Sequence, residues 1–235
     1  MKRPSPIFTD CMTPTQRRLG IVYFPMHVFI RPVLISMLNA YVQTPLNDVT
    51  LNIIYYAIGF LFCITAMFRF LRKGFDILAD NLMPSLVSMA MGYIFYYILS
   101  YGVSALMLYI MSSQPIVNPN DQTVTELIQT GSEKSVIAIS VLIAPIVEEV
   151  LFRGVLFGGI RKRSRSAAYI ISILLFAFYH IWQYLIAYRD PTILLYMLQY
   201  IPAGYVLAMC YEQVNSIWVP IFLHMLLNFI NLGIV

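Results

Sequence analysis

The sequence predicts an all-α, polytopic membrane helix bundle of about seven transmembrane helices, on three observations. Of its 235 residues, 60% are hydrophobic and only 11% are charged, whereas soluble domains carry about 25% charged residues. Apolar runs close to the ~20 residues that cross a bilayer recur along the whole chain. Basic residues gather in alternate connections between these runs, the pattern that the positive-inside rule produces. This excludes a soluble enzyme and a nucleic-acid-binding module. The net charge of +4 is therefore read as topology.

The apolar runs fall at about 19–42, 51–68, 84–111, 135–160, 167–187, 192–210 and 215–234. The tail 1–18 carries Lys2, Arg3, Arg17 and Arg18. The run after it is too long for a signal-peptide core and lacks a small-residue cleavage site, so it reads as a retained first span. Arg69, Arg72 and Lys73, then Arg161, Lys162, Arg163 and Arg165, fall on the same side as that tail. Only Lys134 and Arg189 fall opposite. The N-terminus is expected in the cytoplasm and the C-terminus outside.

Residues 19–133 read as an N-terminal transmembrane region with two insertions. In 69–83, charged residues alternate at helical spacing with Phe70, Phe75, Ile77, Leu78 and Leu82, as in an amphipathic helix lying in the interface. Residues 112–133 form the long polar outer loop, expected to be solvated. Residues 134–235 read as the transmembrane core. Cys11, Cys63 and Cys210 lie far apart without metal-ligand spacing and read as small apolar fillers. Pro202 and Gly204 predict a kink in the sixth span, and the many Tyr and Phe residues are assigned to packing and interface belts.

The function is read from charge at depth. Glu148, Glu149 and Arg153 interrupt an otherwise apolar span, where each charge costs roughly 2.5–3.5 kcal/mol even on a lenient scale. Glu148 lies about 20 Å above the Arg161 end at 1.5 Å per residue, His180 roughly 22 Å and His224 about 14–18 Å. Three helices thus place polar side chains near one level. Glu149 and Arg153 are four apart and can pair. Glu148 is five from Arg153, about 140° around the helix, and is left to face a cavity, where a carboxylate can deprotonate a water. His224 and Asn228, also four apart, share a face as donors for a developing oxyanion. His180 is placed as the second holder of the water, with Phe176 as a wall of the pocket.

These residues carry a family resemblance. APIVEEVLFRG, with Glu148, Glu149 and Arg153, matches an EExxxR motif; FAFYH, with Phe176 and His180, matches FxxxH; HMLLN, with His224 and Asn228, matches HxxxN. In this order, each on its own span, they resemble the CPBP (CAAX protease and bacteriocin-processing, or Abi) family. The resemblance covers residues 141–230. It implies an intramembrane endopeptidase similar to type II CAAX prenyl endopeptidases. Carried over, Glu148 is the base and His180 its partner, His224 and Asn228 form the oxyanion hole, and Glu149 with Arg153 supports them.

The glutamate-type reading requires no cofactor. A zinc ion remains open, with Glu148, His180 and His224 as its ligands, although the HExxH of zincins is absent. The expected partners are a hydrophobic or lipidated peptide or protein substrate and the lipid bilayer, and no nucleic acid. The expected location is the plasma membrane of a prokaryote. Two other readings stand beside the protease: a proton- or metal-coupled transporter, and a non-catalytic immunity or scaffold protein. His27 and Arg31, four apart in the first span between Pro25 and Pro32, are either a structural pair at a bent helix or a site for a carboxylate.

Overall fold

A computed structural model describes residues 8–111, 118–130 and 133–232. Lys2 and Arg3 of the basic tail, and 112–117 and 131–132 of the outer loop, lie outside the described residues. Helices account for nearly all of what is described, and there is no strand among the described residues.

The first span, α1 (Pro14–Ala40), opens on a capping box. Thr13 Oγ1 accepts from the Gln16 backbone N–H, and the Gln16 side chain accepts from the Thr13 backbone N–H. Pro25 and Pro32 each remove a backbone donor from its middle, and between them Met26–Ile30 widens into a π-helical turn. The second span is α2 (Asp48–Ala66), with Asn47 as N-cap. The amphipathic segment forms α3 (Phe68–Asp80) and buries Phe70, Leu71 and Gly74. It is docked on the last helix, because Trp218 Nε1 donates to the Leu71 carbonyl at 2.8 Å and Ser216 Oγ to the Gly74 carbonyl at 2.7 Å.

The third span is α4 (Leu82–Ile110). At Gly92 a Cβ would meet Cys210 Sγ at 2.6 Å and Leu223 Cδ2 at 2.7 Å, so glycine permits the close approach of three helices. The expected polar loop is largely helical: α5 runs from Pro119 to Thr130. Asn118 accepts from the Asn120 N–H at 3.0 Å ahead of Pro119, and this Asn-Pro start nucleates a helix that overall polarity concealed.

The fourth span, α6 (Lys134–Arg161), carries two wide π-helical stretches, Ile139–Ile143 and Val150–Phe157. The first ends two residues before Pro145, which has no N–H to continue the ladder. The fifth run is not one straight rod. It forms α7 (Arg165–Tyr179) and α8 (Trp182–Tyr188), bent by 45°. At the break, His180 Nδ1 bonds the Phe176 carbonyl at 2.8 Å while the His180 backbone N–H donates to Ala177 O. A side chain inserted into the i→i−4 ladder is a known cause of such bends.

The sixth span is α9 (Pro191–Val214), whose helix from Met197 to Val214 is unbroken through Pro202. The last helix is α10 (Trp218–Asn231). Among the described residues, five helices are long and apolar enough to cross a membrane, or six if the bent α7–α8 pair is one broken span. The expected count of seven included α10, which at 14 residues reaches only about 21 Å.

One end of the bundle is tied by ion pairs. Asp10 holds Arg17 and Lys162, each at 2.6 Å, and Glu212 of α9 holds Arg161 and Arg165. The core is centred on α6, α7, α9 and α10, with Val147, Val150, Leu151, Phe152, Leu207 and Leu223 among its fully buried members.

Candidate active site

The centre of α6 is where the sequence placed charge, and the structure buries that charge almost completely. Glu149 and Arg153 have no side-chain exposure, and Glu148 retains only 5%. Arg153 Nη1 donates to Glu149 Oε1 at 2.8 Å, and its Nη2 donates to the Gly204 carbonyl of α9 at 3.2 Å. The guanidinium also lies over the Phe176 ring, 4.2 Å from its centroid. The wide stretch that begins at Val150 does not break the four-residue pairing of Glu149 with Arg153.

Two histidines come to the same carboxylates from other helices. His180 Nε2 is 3.8 Å from Glu148 Oε2, and His224 Nε2 is 3.9 Å from the same oxygen. Both gaps are too wide for a direct hydrogen bond and of a size that one water oxygen can bridge. Hydrogen bonds at the opposite nitrogens fix the rings. His180 Nδ1 faces the Phe176 carbonyl at 2.8 Å. A carbonyl can only accept, so Nδ1 carries the hydrogen and a neutral ring has its lone pair on Nε2. His224 Nδ1 faces Glu149 Oε1 at 2.8 Å, and the same logic applies. Of the three groups, His180 is the most accessible, at 14%.

Phe176, one turn before His180, lies against both histidines. It is 1% exposed, with ring centroids 4.6 Å from His180 and 5.9 Å from His224. Asn228 follows one turn after His224 in α10, and its Nδ2 donates to the Ser140 carbonyl at 2.9 Å. One amide hydrogen of Asn228 is thus engaged and the second is left over.

Glu148, Glu149, Arg153, Phe176, His180 and His224 are therefore gathered around one point. For metal binding, the donor types suit zinc. Among the described residues, however, no three His, Cys, Asp or Glu side chains are grouped to hold an ion.

Four neighbours of the site were invisible in the sequence. Tyr56 Oη donates to Glu148 Oε1 at 3.1 Å, and Tyr179 Oη stands 3.3 Å from the hydroxyls of both Tyr55 and Tyr56. Tyr200 stacks on His180 with centroids 4.3 Å apart and accepts from Asn118 at 2.9 Å. Hydropathy assigns such tyrosines to belts and packing, and only Tyr179, adjacent to His180, carries a local signal. His27 and Arg31 are brought elsewhere. Arg31 donates to His27 Nδ1 at 3.0 Å, to Tyr23 Oη and to the Tyr55 carbonyl. These contacts are those that the structural reading of the pair expects.

Comparison with known proteins gives the same direction. The family described as type II CAAX prenyl endopeptidase Rce1-like matches residues 131–230, the stretch that contains all three motifs. A protein of Bacillus subtilis (strain 168) named "Putative membrane peptidase YdiL" is 30% identical over 110 residues. That match covers 46% of this chain and 40% of the Bacillus protein. No solved structure matches. The chain is an integral membrane protein similar to this peptidase family.

Proposed function

We propose that the protein is an intramembrane endopeptidase that hydrolyses a peptide bond in a hydrophobic or lipidated peptide or protein. The observation that carries the reading is the shared oxygen: Glu148 Oε2, deeply buried, faces the Nε2 atoms of His180 and His224 at 3.8 and 3.9 Å. A water between them donates one hydrogen to Glu148 Oε2 and the other to the His180 Nε2 lone pair. Its oxygen is left pointing at a substrate carbonyl, in the near-attack arrangement that lowers the entropic barrier.

Attack forms a C–O bond while the water proton passes to Glu148, which acts as general base. The carbonyl oxygen becomes an oxyanion, held by His224 and by the second amide hydrogen of Asn228. His224 Nδ1 already donates to Glu149, so donation from Nε2 needs both ring hydrogens, and Glu149 balances that charge. Arg153 in turn fixes Glu149. As the C–N bond breaks, Glu148 returns its proton to the leaving amine, giving a carboxylic acid and an amine with the base restored.

The test compares membrane peptides in cells carrying wild-type protein or Glu148→Gln at matched expression. Peptides that are cut only in wild-type cells are expected. An identical peptide set in the two would refute the reading. A Glu148-dependent ion flux into liposomes would favour transport instead.

A further inference from the structure

The hydrogen bonds behind Glu148 run away from the water position. Tyr56 Oη donates to Glu148 Oε1 at 3.1 Å; Tyr179 Oη lies 3.3 Å from Tyr56 Oη and 3.3 Å from Tyr55 Oη; Tyr55 Oη donates to the His27 carbonyl at 2.9 Å. Three phenols from α2 and α7 thus link a carboxylate on α6 to the backbone of α1.

Counting hydrogens fixes the direction of this chain. It has four links and three hydroxyl hydrogens. The His27 carbonyl can only accept, which takes the hydrogen of Tyr55. An ionised Glu148 can also only accept, which takes the hydrogen of Tyr56. Tyr179 is left with one hydrogen for two neighbours. Both of its contacts are 3.3 Å, beyond the 2.5–3.0 Å usual for hydroxyl pairs, as suits two links that share one hydrogen. When that hydrogen goes to Tyr56, it polarises the Tyr56 O–H and strengthens its bond to the carboxylate.

We infer that Tyr56 is a positioning residue for Glu148. It holds Oε1 so that Oε2 is the oxygen presented to the imidazoles and the water, and Tyr179 and Tyr55 anchor it to the α1 backbone. The inference rests on the proteolytic reading for its consequence, though not for the contact itself. The chain ends on a carbonyl, which takes up no proton at neutral pH. It therefore serves as a fixed brace and not as a conduit to solvent. The aromatic rings alone do not explain the arrangement, because phenylalanine would pack equally well at positions 55, 56 and 179.

Infrared difference spectra of the protein in lipid nanodiscs test this without any substrate. The carboxylate stretch of Glu148 is isolated as the band lost in Glu148→Gln. Tyr56→Phe is expected to shift it clearly, Tyr179→Phe less, and Tyr55→Phe least, while all three keep their rings and fold. In the same samples, turnover of a farnesylated CAAX peptide by Tyr56→Phe is expected to show kcat reduced by about 10- to 100-fold with KM held. A Tyr56→Phe band coincident with wild type overturns the inference, as does Tyr55→Phe shifting it more than Tyr56→Phe. Glu148→Gln with full turnover would instead bring down the proteolytic reading. Loss of turnover in Glu148→Gln, with kcat and band of Tyr56→Phe unchanged, would remove this inference alone.

Discussion

Two polar clusters lie inside the apolar spans, and each combines histidine with arginine. In α1, Arg31 donates to His27, to Tyr23 and to a backbone carbonyl, and its guanidinium lies 4.4 Å from the Tyr55 ring centroid. None of the bonds described there involves a carboxylate, and His27 Nε2 and Arg31 Nε are buried without a hydrogen-bond partner among the described residues. Around α6, Arg153 is likewise paired with Glu149, but a second carboxylate, Glu148, faces two imidazole nitrogens across gaps near 4 Å. The same residue types at comparable depth give neutral hydrogen bonds around Arg31 and, around Glu148, the arrangement on which the proposed hydrolysis rests. The difference is the second carboxylate, which faces two imidazole nitrogens beyond hydrogen-bond range in one cluster and has no counterpart in the other. The phenol chain joins the two clusters, so the braced one steadies the reactive one.

Exchanging each histidine for phenylalanine gives the widest separation between the clusters. His180→Phe preserves the stack on Tyr200 and removes both nitrogens, and turnover is expected to fall about 10²- to 10⁴-fold. His27→Phe, which keeps the ring and the backbone carbonyl that Tyr55 uses, is expected to leave turnover within an order of magnitude. Kinetics on the two purified variants decide it; equal losses would erase the distinction drawn here.

Removing each arginine comes next. Arg153→Leu strands the fully buried Glu149, at a cost of about 3–5 kcal/mol. Arg31→Leu strands no carboxylate and leaves a few neutral acceptors unmet, at about 1–3 kcal/mol. Unfolding midpoints in detergent should therefore drop much further for Arg153→Leu, and a larger drop for Arg31→Leu would contradict the assignment.

The smallest effect is at the crossing point. A Cβ on Gly59 would meet Val147 at 2.9 Å and His27 at 3.2 Å. Overpacking costs about 1–3 kcal/mol, and alanine returns about 1 kcal/mol of helix propensity. Gly59→Ala is thus expected to lower stability by about 1 kcal/mol, measured by the same midpoint.

Much of the fold could be read from the chain. Composition and run length placed the long apolar helices, and local helical geometry was enough to pair Glu149 with Arg153 and to put Phe176 beside His180. The misreadings have local causes too. The polarity of 112–133 hid the Asn118–Pro119 helix start. The bend at His180 arises because its own side chain takes the Phe176 carbonyl, which apolar periodicity does not report. α10 begins at Trp218, three residues into its apolar run, after Ser216 has bonded the Gly74 carbonyl of α3.

By itself, the sequence determined that this protein lives in a bilayer, which spans carry charge, and which partners lie one turn apart. Those properties follow from hydropathy and from the fixed pitch of a helix. Only the tertiary structure decided that His224 bonds Glu149, that both imidazoles turn Nε2 toward Glu148, and that Tyr56 and Tyr200 join them. Each of these depends on how separate helices rotate and cross. An apolar surface packs in many rotations at similar energy, so side-chain shape and buried hydrogen bonds across helices select one.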